Sequence, residues 1–213
     1  MSRILPGQTD LYALTDARLS KGRPLKEVVG ALLDAGIRII QYREKHMHQR
    51  QMLEECRLVR AMTNDAKACF IVDDWVDLAI LSQADGVHIG QDDLPVSEVR
   101  KLVGQEMIIG VSTHEPKQAK EAWADGADYI GVGPIFATQT KEDVVAPVGL
   151  SYLKWVVENL NLPFVAIGGI KEHNIAQVSA CGAKCCALVS EFVGADDIKA
   201  KVKSVRKAMH RNT

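Results

Sequence analysis

The chain has 213 residues, 47% hydrophobic and 25% charged, with a formal net charge of −1. That length suits one domain with a sizeable core, and α/β barrels reach it as a single unit, so residues 1–213 are read as one domain. The near-neutral charge offers no field for nucleic acid or an anionic membrane, and 5% aromatic content argues against base stacking.

In chain order, Leu11 to Asp16 is the first strand signal. Pro24 opens a helix through Val28, Val29, Leu32 and Leu33, which Gly36 ends. A second strand runs from Ile37 to about Arg43, and residues 48–64 form an amphipathic helix. Cys69 to Val72 is a short buried strand ending in Asp73-Asp74, followed by a helix from Trp75 to Ser82. Gly86 to Ile89 is the fourth strand, and Val96 to Leu102 is helical. Met107 to Ser112 is the fifth strand, with a helix over 115–125. Asp128 to Val132 is the sixth, followed by a long polar loop from Gly133 to Gly149. Ser151 to Asn159 is helical, Phe164 to Ile167 is the seventh strand, and His173 to Cys181 is helical. Cys185 to Val189 is the eighth strand, and a basic amphipathic helix covers 196–211.

These strands are apolar rather than alternating, as strands buried on both faces of a parallel sheet are. Eight strand–helix units in this length point to a (β/α)8 barrel of the TIM type. A doubly wound open sheet is the rival, but eight units suit closure better. No apolar run approaches the ~18 residues that a membrane-spanning helix needs. The opening residues, Met1 to Gly7, turn polar too quickly for a signal peptide. Five cysteines without CxxC spacing suit reduced thiols in a cytoplasm, and Cys185 and Cys186 read as small buried hydrophobes. A homo-oligomer stays open.

Chemistry in such a barrel sits at the carboxyl ends of the strands. Gln41, Arg43 and Lys45 share one face of the second strand. Two cations at about 4 Å repel by ~4 kcal/mol at an effective dielectric of ~20, and a diphosphate between them would relieve this. The plainer alternative ends the strand at Arg43 and leaves Lys45 in a solvated loop. Asp73 and Asp74 end the third strand, and Gln91, Asp92 and Asp93 follow the fourth. Carboxylates beside a diphosphate need a hard cation, and Mg2+ binds through one or two carboxylates plus substrate phosphates. Asp74 equally suits an N-cap for the helix from Trp75, and Asp93 suits turn chemistry ahead of Pro95. Local chemistry does not separate Asp92 from Asp93. Gly168-Gly169 and Val189-Ser190 lie after strands seven and eight, where barrels bind a phosphate through backbone N–H groups. A plain tight turn is the alternative there. The rim therefore suggests two phosphorylated small-molecule ligands, one of them a diphosphate with magnesium. His114 is either a general acid or base, or a residue that orients Ser112 or packs at the next helix start.

Six segments in order carry a resemblance along nearly the whole chain. They are Leu11 to Asp16, Gln41 to Lys45, Gly86 to Leu94, Gly110 to His114, Gly133 to Phe136 with Thr138 to Lys141, and Ala166 to Ile170. Together they resemble the thiamine-phosphate synthase family, also called thiamine-phosphate pyrophosphorylase. The resemblance implies a (β/α)8 transferase that joins hydroxymethylpyrimidine diphosphate to hydroxyethylthiazole phosphate and releases diphosphate through a pyrimidine cation. Carried over by position, Gln41, Arg43, Lys45, Asp73, Ser112 and Lys141 would hold the pyrimidine diphosphate, with Arg43, Lys45, Ser112 and Lys141 doing the catalytic work. Asp74 and Asp93 would bind Mg2+, which separates Asp93 from Asp92. Thr138, Gln139, Thr140, Gly169, Val189 and Ser190 would hold the thiazole phosphate. The loop from Pro134 to Gly149 is a candidate lid. Three positions depart from the family pattern: Asp73 where Asn is commoner, Ala137 where Pro is common, and an unusual last strand from Cys185 to Glu191. The rivals are a thiazole tautomerase on the same barrel, with His114 as its catalytic group, and a non-catalytic sensor of thiamine precursors.

Overall fold

The computed structural model describes residues 4–140 and 145–210. Strands β1 (Leu11–Leu14), β2 (Ile39–Tyr42), β3 (Cys69–Asp73) and β4 (Gly86–Ile89) are followed by β5 (Ile108–Thr113), β6 (Tyr129–Val132), β7 (Phe164–Ile167) and β8 (Cys186–Leu188). Each pairs in parallel with the next, and β8 returns to β1 with Leu11 opposite Cys186, so the barrel is closed. Around it run α1 (Leu25–Asp34), α2 (Gln49–Asp65), α3 (Val76–Leu81), α4 (Val96–Val103) and α5 (Pro116–Ala124). The remainder are α6 (Gly149–Asn159), α7 (Ile175–Ala180), α8 (Ser190–Val193) and α9 (Ile198–Met209).

Predicted and observed elements agree in order and type, with ends shifted by a few residues. Two short elements were not expected. A 3-10 turn, Ala17–Leu19, is capped by Asp16, whose carboxylate accepts from the backbone N–H groups of Arg18 and Leu19. Helix α8 starts at Ser190, directly after the last strand. Both hold about one turn, too short to leave a hydrophobic period in the sequence.

Period-two strands divide the apolar residues between two cores. Tyr12, Leu14, Ile39, Ile71, Ile108, Tyr129 and Val165 pack inside the barrel. Their neighbours Ala13, Ile40, Phe70, Val72, Ile109 and Ile130 face outward against the helices. Ile4 and Leu5 pack against the inner core. Cys185 belongs to the inner core and Cys186 to the outer one. Burial pushes the Cys185 thiol up to about 12, and that of Cys186 rises for the same reason. Both are free thiols, protonated and packed as apolar groups.

One inner contact depends on a glycine. Gly110 lies on β5 opposite Tyr129 on β6. A Cβ at Gly110 would stand 2.2 Å from Cζ of Tyr129, so only glycine lets that ring lie across the barrel axis.

Candidate functional site

The carboxyl ends of β1 to β4 hold a compact charged cluster. Arg43 follows β2 and is only 5% exposed. Its Nη1 donates to Oδ2 of Asp16 at 2.9 Å, and its Nε lies 3.7 Å from Oδ2 of Asp73. Lys45 reaches one of these carboxylates from the loop, with Nζ 3.5 Å from Oδ2 of Asp73, and is also in contact with Asp74. The predicted repulsion between Arg43 and Lys45 is therefore relieved by carboxylates of β1 and β3, without any ligand. The backbone N–H of Arg43 donates to Oγ1 of Thr15, which ties β2 to the end of β1.

Asp74 does not cap α3: the residue at that position is Trp75, with no side-chain cap bond. Instead Asp74 adopts φ +61°, a left-handed conformation that costs a non-glycine residue about 1–2 kcal/mol. Its N–H donates to the His88 carbonyl at 2.8 Å. This backbone turns the carboxylate toward Lys45. Asp93 is exposed, and its Oδ2 accepts from the backbone N–H of Gly90 at 2.6 Å, so the turn chemistry expected of it is present. Asp74 and Asp93 follow the neighbouring strands β3 and β4. Among the described residues no group of three or more metal-ligating side chains converges.

Gln41 points into the barrel and starts a hydrogen-bonded chain across it. Its Nε2 donates to the Tyr12 hydroxyl at 2.9 Å, and the hydroxyls of Tyr12 and Tyr129 lie 3.1 Å apart. Tyr129 is 2.9 Å from Nδ1 of His88, and Nε2 of His88 is 2.9 Å from Oγ of Ser112. Burial pushes the pKa of both tyrosines up, so both hydroxyls stay protonated. An amide nitrogen can only donate, which fixes the first bond of the chain. One consistent arrangement has Tyr12 donating to Tyr129, Tyr129 donating to Nδ1, and the Nε2–H tautomer of His88 donating to Ser112. The Ser112 hydroxyl hydrogen is then left for a ligand.

Ser112 opens onto a cavity of about 840 Å³ at the ends of β5 to β8. Thr138, Gln139, Thr140, Gly169, Val189 and Ser190 all border it, and Arg43 borders its far side. Lys45, Asp73 and Asp74 belong to the charged cluster beside it, Gln41 to the hydrogen-bonded chain, and Asp93 to the turn after β4. Lys141 lies outside the described residues. The loop start is pinned, with Ile135 and Phe136 donating to the carbonyls of Ile167 and Gly168. His114 borders the cavity too, but its Nδ1 sits 2.6 Å from the Gly133 carbonyl and carries the hydrogen of that bond. That contact gives His114 an anchoring role at the loop start.

The glycine pair has a use that was not expected. Gly168 and Gly169 have φ +95° and +64°. A Cβ on Gly169 would lie 2.5 Å from the Ala137 carbonyl oxygen, so the pair lets the loops after β6 and β7 pack backbone to backbone. Gly169→Ala is expected to lower stability by at least ~1–2 kcal/mol through its positive φ alone. An unchanged thermal midpoint would count against this account.

Sequence reasoning missed Asp16, Tyr12, His88 and Tyr129. Each lies inside a segment already singled out, but its partner is on another strand. The register of β1 with β2 could have joined Asp16 to Arg43, whereas Tyr12, His88 and Tyr129 sit on non-neighbouring strands and meet only across the closed barrel.

The thiamine monophosphate synthase family model matches residues 11–192. The chain belongs to that family. A thiamine-phosphate synthase of Lawsonia intracellularis is 58% identical over 212 residues, covering 98% of each chain. One from Pelotomaculum thermopropionicum is 61% identical over 204 residues, covering 96% of this chain and 94% of the relative. The solved thiamine phosphate pyrophosphorylase of Pyrococcus furiosus superposes with a TM-score of 0.86 at 36% identity, over 94% of this chain and 95% of that one. Membership of the thiamine monophosphate synthase family makes the chain a transferase.

Proposed function

We propose that the chain is a cytoplasmic, Mg2+-dependent thiamine-phosphate synthase. It couples 4-amino-2-methyl-5-hydroxymethylpyrimidine diphosphate to hydroxyethylthiazole phosphate. The observation that carries this reading is a cation–carboxylate cluster at Arg43, Lys45, Asp73 and Asp74 directly beside a cavity bordered by Ser112, Gly169 and Ser190. One region suits a diphosphate with a metal, and the other suits a second phosphorylated substrate.

The donor set fits a hard cation. Asp74 and Asp93 offer oxygen donors from adjacent strands, and Oδ2 of Asp73 is buried without a hydrogen-bond partner. Nε of Arg43 is likewise buried without a hydrogen-bond partner, 3.7 Å from that oxygen. Asp74 and Asp93 would hold Mg2+, which when bound neutralises charge developing on the departing diphosphate.

The C–O bond between the pyrimidine methylene and the diphosphate breaks first, and its electron pair leaves with the diphosphate. The electron-rich aminopyrimidine stabilises the resulting cation. The thiazole nitrogen then donates its lone pair to the methylene and forms the new C–N bond. Arg43, Lys45 and Lys141 stabilise the leaving group electrostatically, so no protein nucleophile is needed. Ser112 donates its hydroxyl hydrogen to the pyrimidine substrate, held for that purpose by His88. Gln41 keeps the same chain in register, and Asp73 accepts from the pyrimidine amino group. Thr138, Gln139, Thr140, Gly169, Val189 and Ser190 hold the thiazole phosphate.

The test is an assay of purified protein with both substrates, with and without Mg2+, following thiamine phosphate directly. Magnesium-dependent product is expected. Asp74→Ala and Asp93→Ala should each reduce kcat/KM about 10²-fold or more while the circular dichroism stays native. No product from well-folded wild-type protein would sink the assignment.

A further inference from the structure

Lys171 directly follows the segment Gly168 to Ile170 on the loop after β7, and its side chain borders the large cavity. Its Nζ donates to Oγ of Ser190 at 2.7 Å and lies 3.3 Å from Oε2 of Glu191. Glu191 is in turn 3.6 Å from Nζ of Lys201 on α9, which also bonds Oε2 of Glu172 at 3.0 Å. Lys171 is about one-third exposed, so its ammonium can move without breaking a packed core.

Charge around the cavity is uneven. Among the described residues that border it, Arg43 and Lys171 are the lysine and arginine side chains present, and no carboxylate borders it. Arg43 is committed to Asp16 on the β1–β2 side. A phosphate monoester carries about −1.5 to −2 charges. Hydroxyls and backbone N–H groups alone leave that charge poorly compensated in a partly dry site, whereas an ammonium gives a stronger, charge-assisted bond.

We propose that Lys171 is the cation that neutralises the phosphate of the second substrate at the Gly169–Ser190 corner, leaving Glu191 to do so. This rests on the two-substrate reading above. A phosphate oxygen that accepts from Ser190 Oγ stands within one side-chain rotation of the ammonium, because that Oγ is already 2.7 Å from Nζ. Glu191 holds Lys171 in the ligand-free protein, and Lys201 keeps Glu191 paired when Lys171 moves away.

Lys171→Met and Lys171→Arg decide the matter alongside the wild type, with each substrate varied in turn. Lys171→Met is expected to raise KM for the thiazole phosphate about tenfold or more, the loss of one charged hydrogen bond. KM for the pyrimidine diphosphate and the thermal midpoint should stay unchanged, and Lys171→Arg should recover most of the loss. Inorganic phosphate, as an inhibitor competing with the thiazole phosphate, should weaken by the same factor. An unchanged KM for the thiazole phosphate in folded Lys171→Met overturns the inference while wild-type turnover upholds the proposed function. If the wild type makes no product, the proposed function falls instead. Calorimetry with inorganic phosphate then decides Lys171: weaker binding by Lys171→Met supports the role, and equal binding removes it.

Discussion

Arg43→Ala is expected to lose both activity and stability. Arg43, Asp16 and Asp73 are each no more than 5% exposed, so removing the guanidinium takes from two buried carboxylates the cation that they share. Breaking a buried pair by deleting one member costs about 3–5 kcal/mol. The same deletion removes a cation from the place where the diphosphate is proposed to leave, and kcat/KM should fall about 10²–10³-fold. Denaturant unfolding and steady-state kinetics on one preparation read both effects. Arg43→Lys should be intermediate, because an ammonium is a single point charge and cannot serve Asp16 while presenting a second donor toward Asp73. A wild-type unfolding midpoint in Arg43→Ala would mean that the pairing contributes nothing to the fold.

Gly110→Ala is expected to damage the barrel interior severely. The added carbon would overlap Cζ and Cε1 of Tyr129 at 2.2 and 2.4 Å. The ring cannot retreat, being buried and hydrogen-bonded to both Tyr12 and His88. Overpacking of this kind costs about 3 kcal/mol or more. Because Tyr129 also orients His88, the Ser112 hydroxyl should lose its position and turnover should fall with stability. Gly110→Ala combined with Tyr129→Leu tests the cause: the pair should be more stable than the sum of the two single losses. Strict additivity would remove the steric explanation.

The barrel was legible because strands buried on both faces leave unbroken apolar runs, and the (β/α)8 order followed from counting them. Gln41 and Arg43 were legible as inward neighbours because alternation holds within one strand. What could not be read was how strands pair. Asp16 neutralises Arg43 from the end of β1, and the charge on β2 was therefore judged without its nearest anion. His88, Tyr12 and Tyr129 looked like isolated polar residues in apolar strands. They form a network only because β1, β4 and β6, none of them neighbours, point these side chains across the closed barrel, where buried polar groups must find one another. The glycine pair after β7 was read for a ligand's approach, whereas its first neighbour is the backbone of the loop after β6.

The pairing of β8 with β1 has a consequence for how the chain is made. Leu11, Tyr12 and Ala13 pair with Cys186, Ala187 and Leu188, almost the full length of the protein away. During synthesis the first strand emerges early and keeps a bare edge until the last one appears. Asp10, just before that edge, is gripped by Arg206 of α9, which also bonds the Ala35 carbonyl after α1. The final helix is thus a latch on the oldest part of the chain. A nascent polypeptide that stalls before β8 exposes the edge of an unclosed sheet, and is a natural client for a chaperone or a protease.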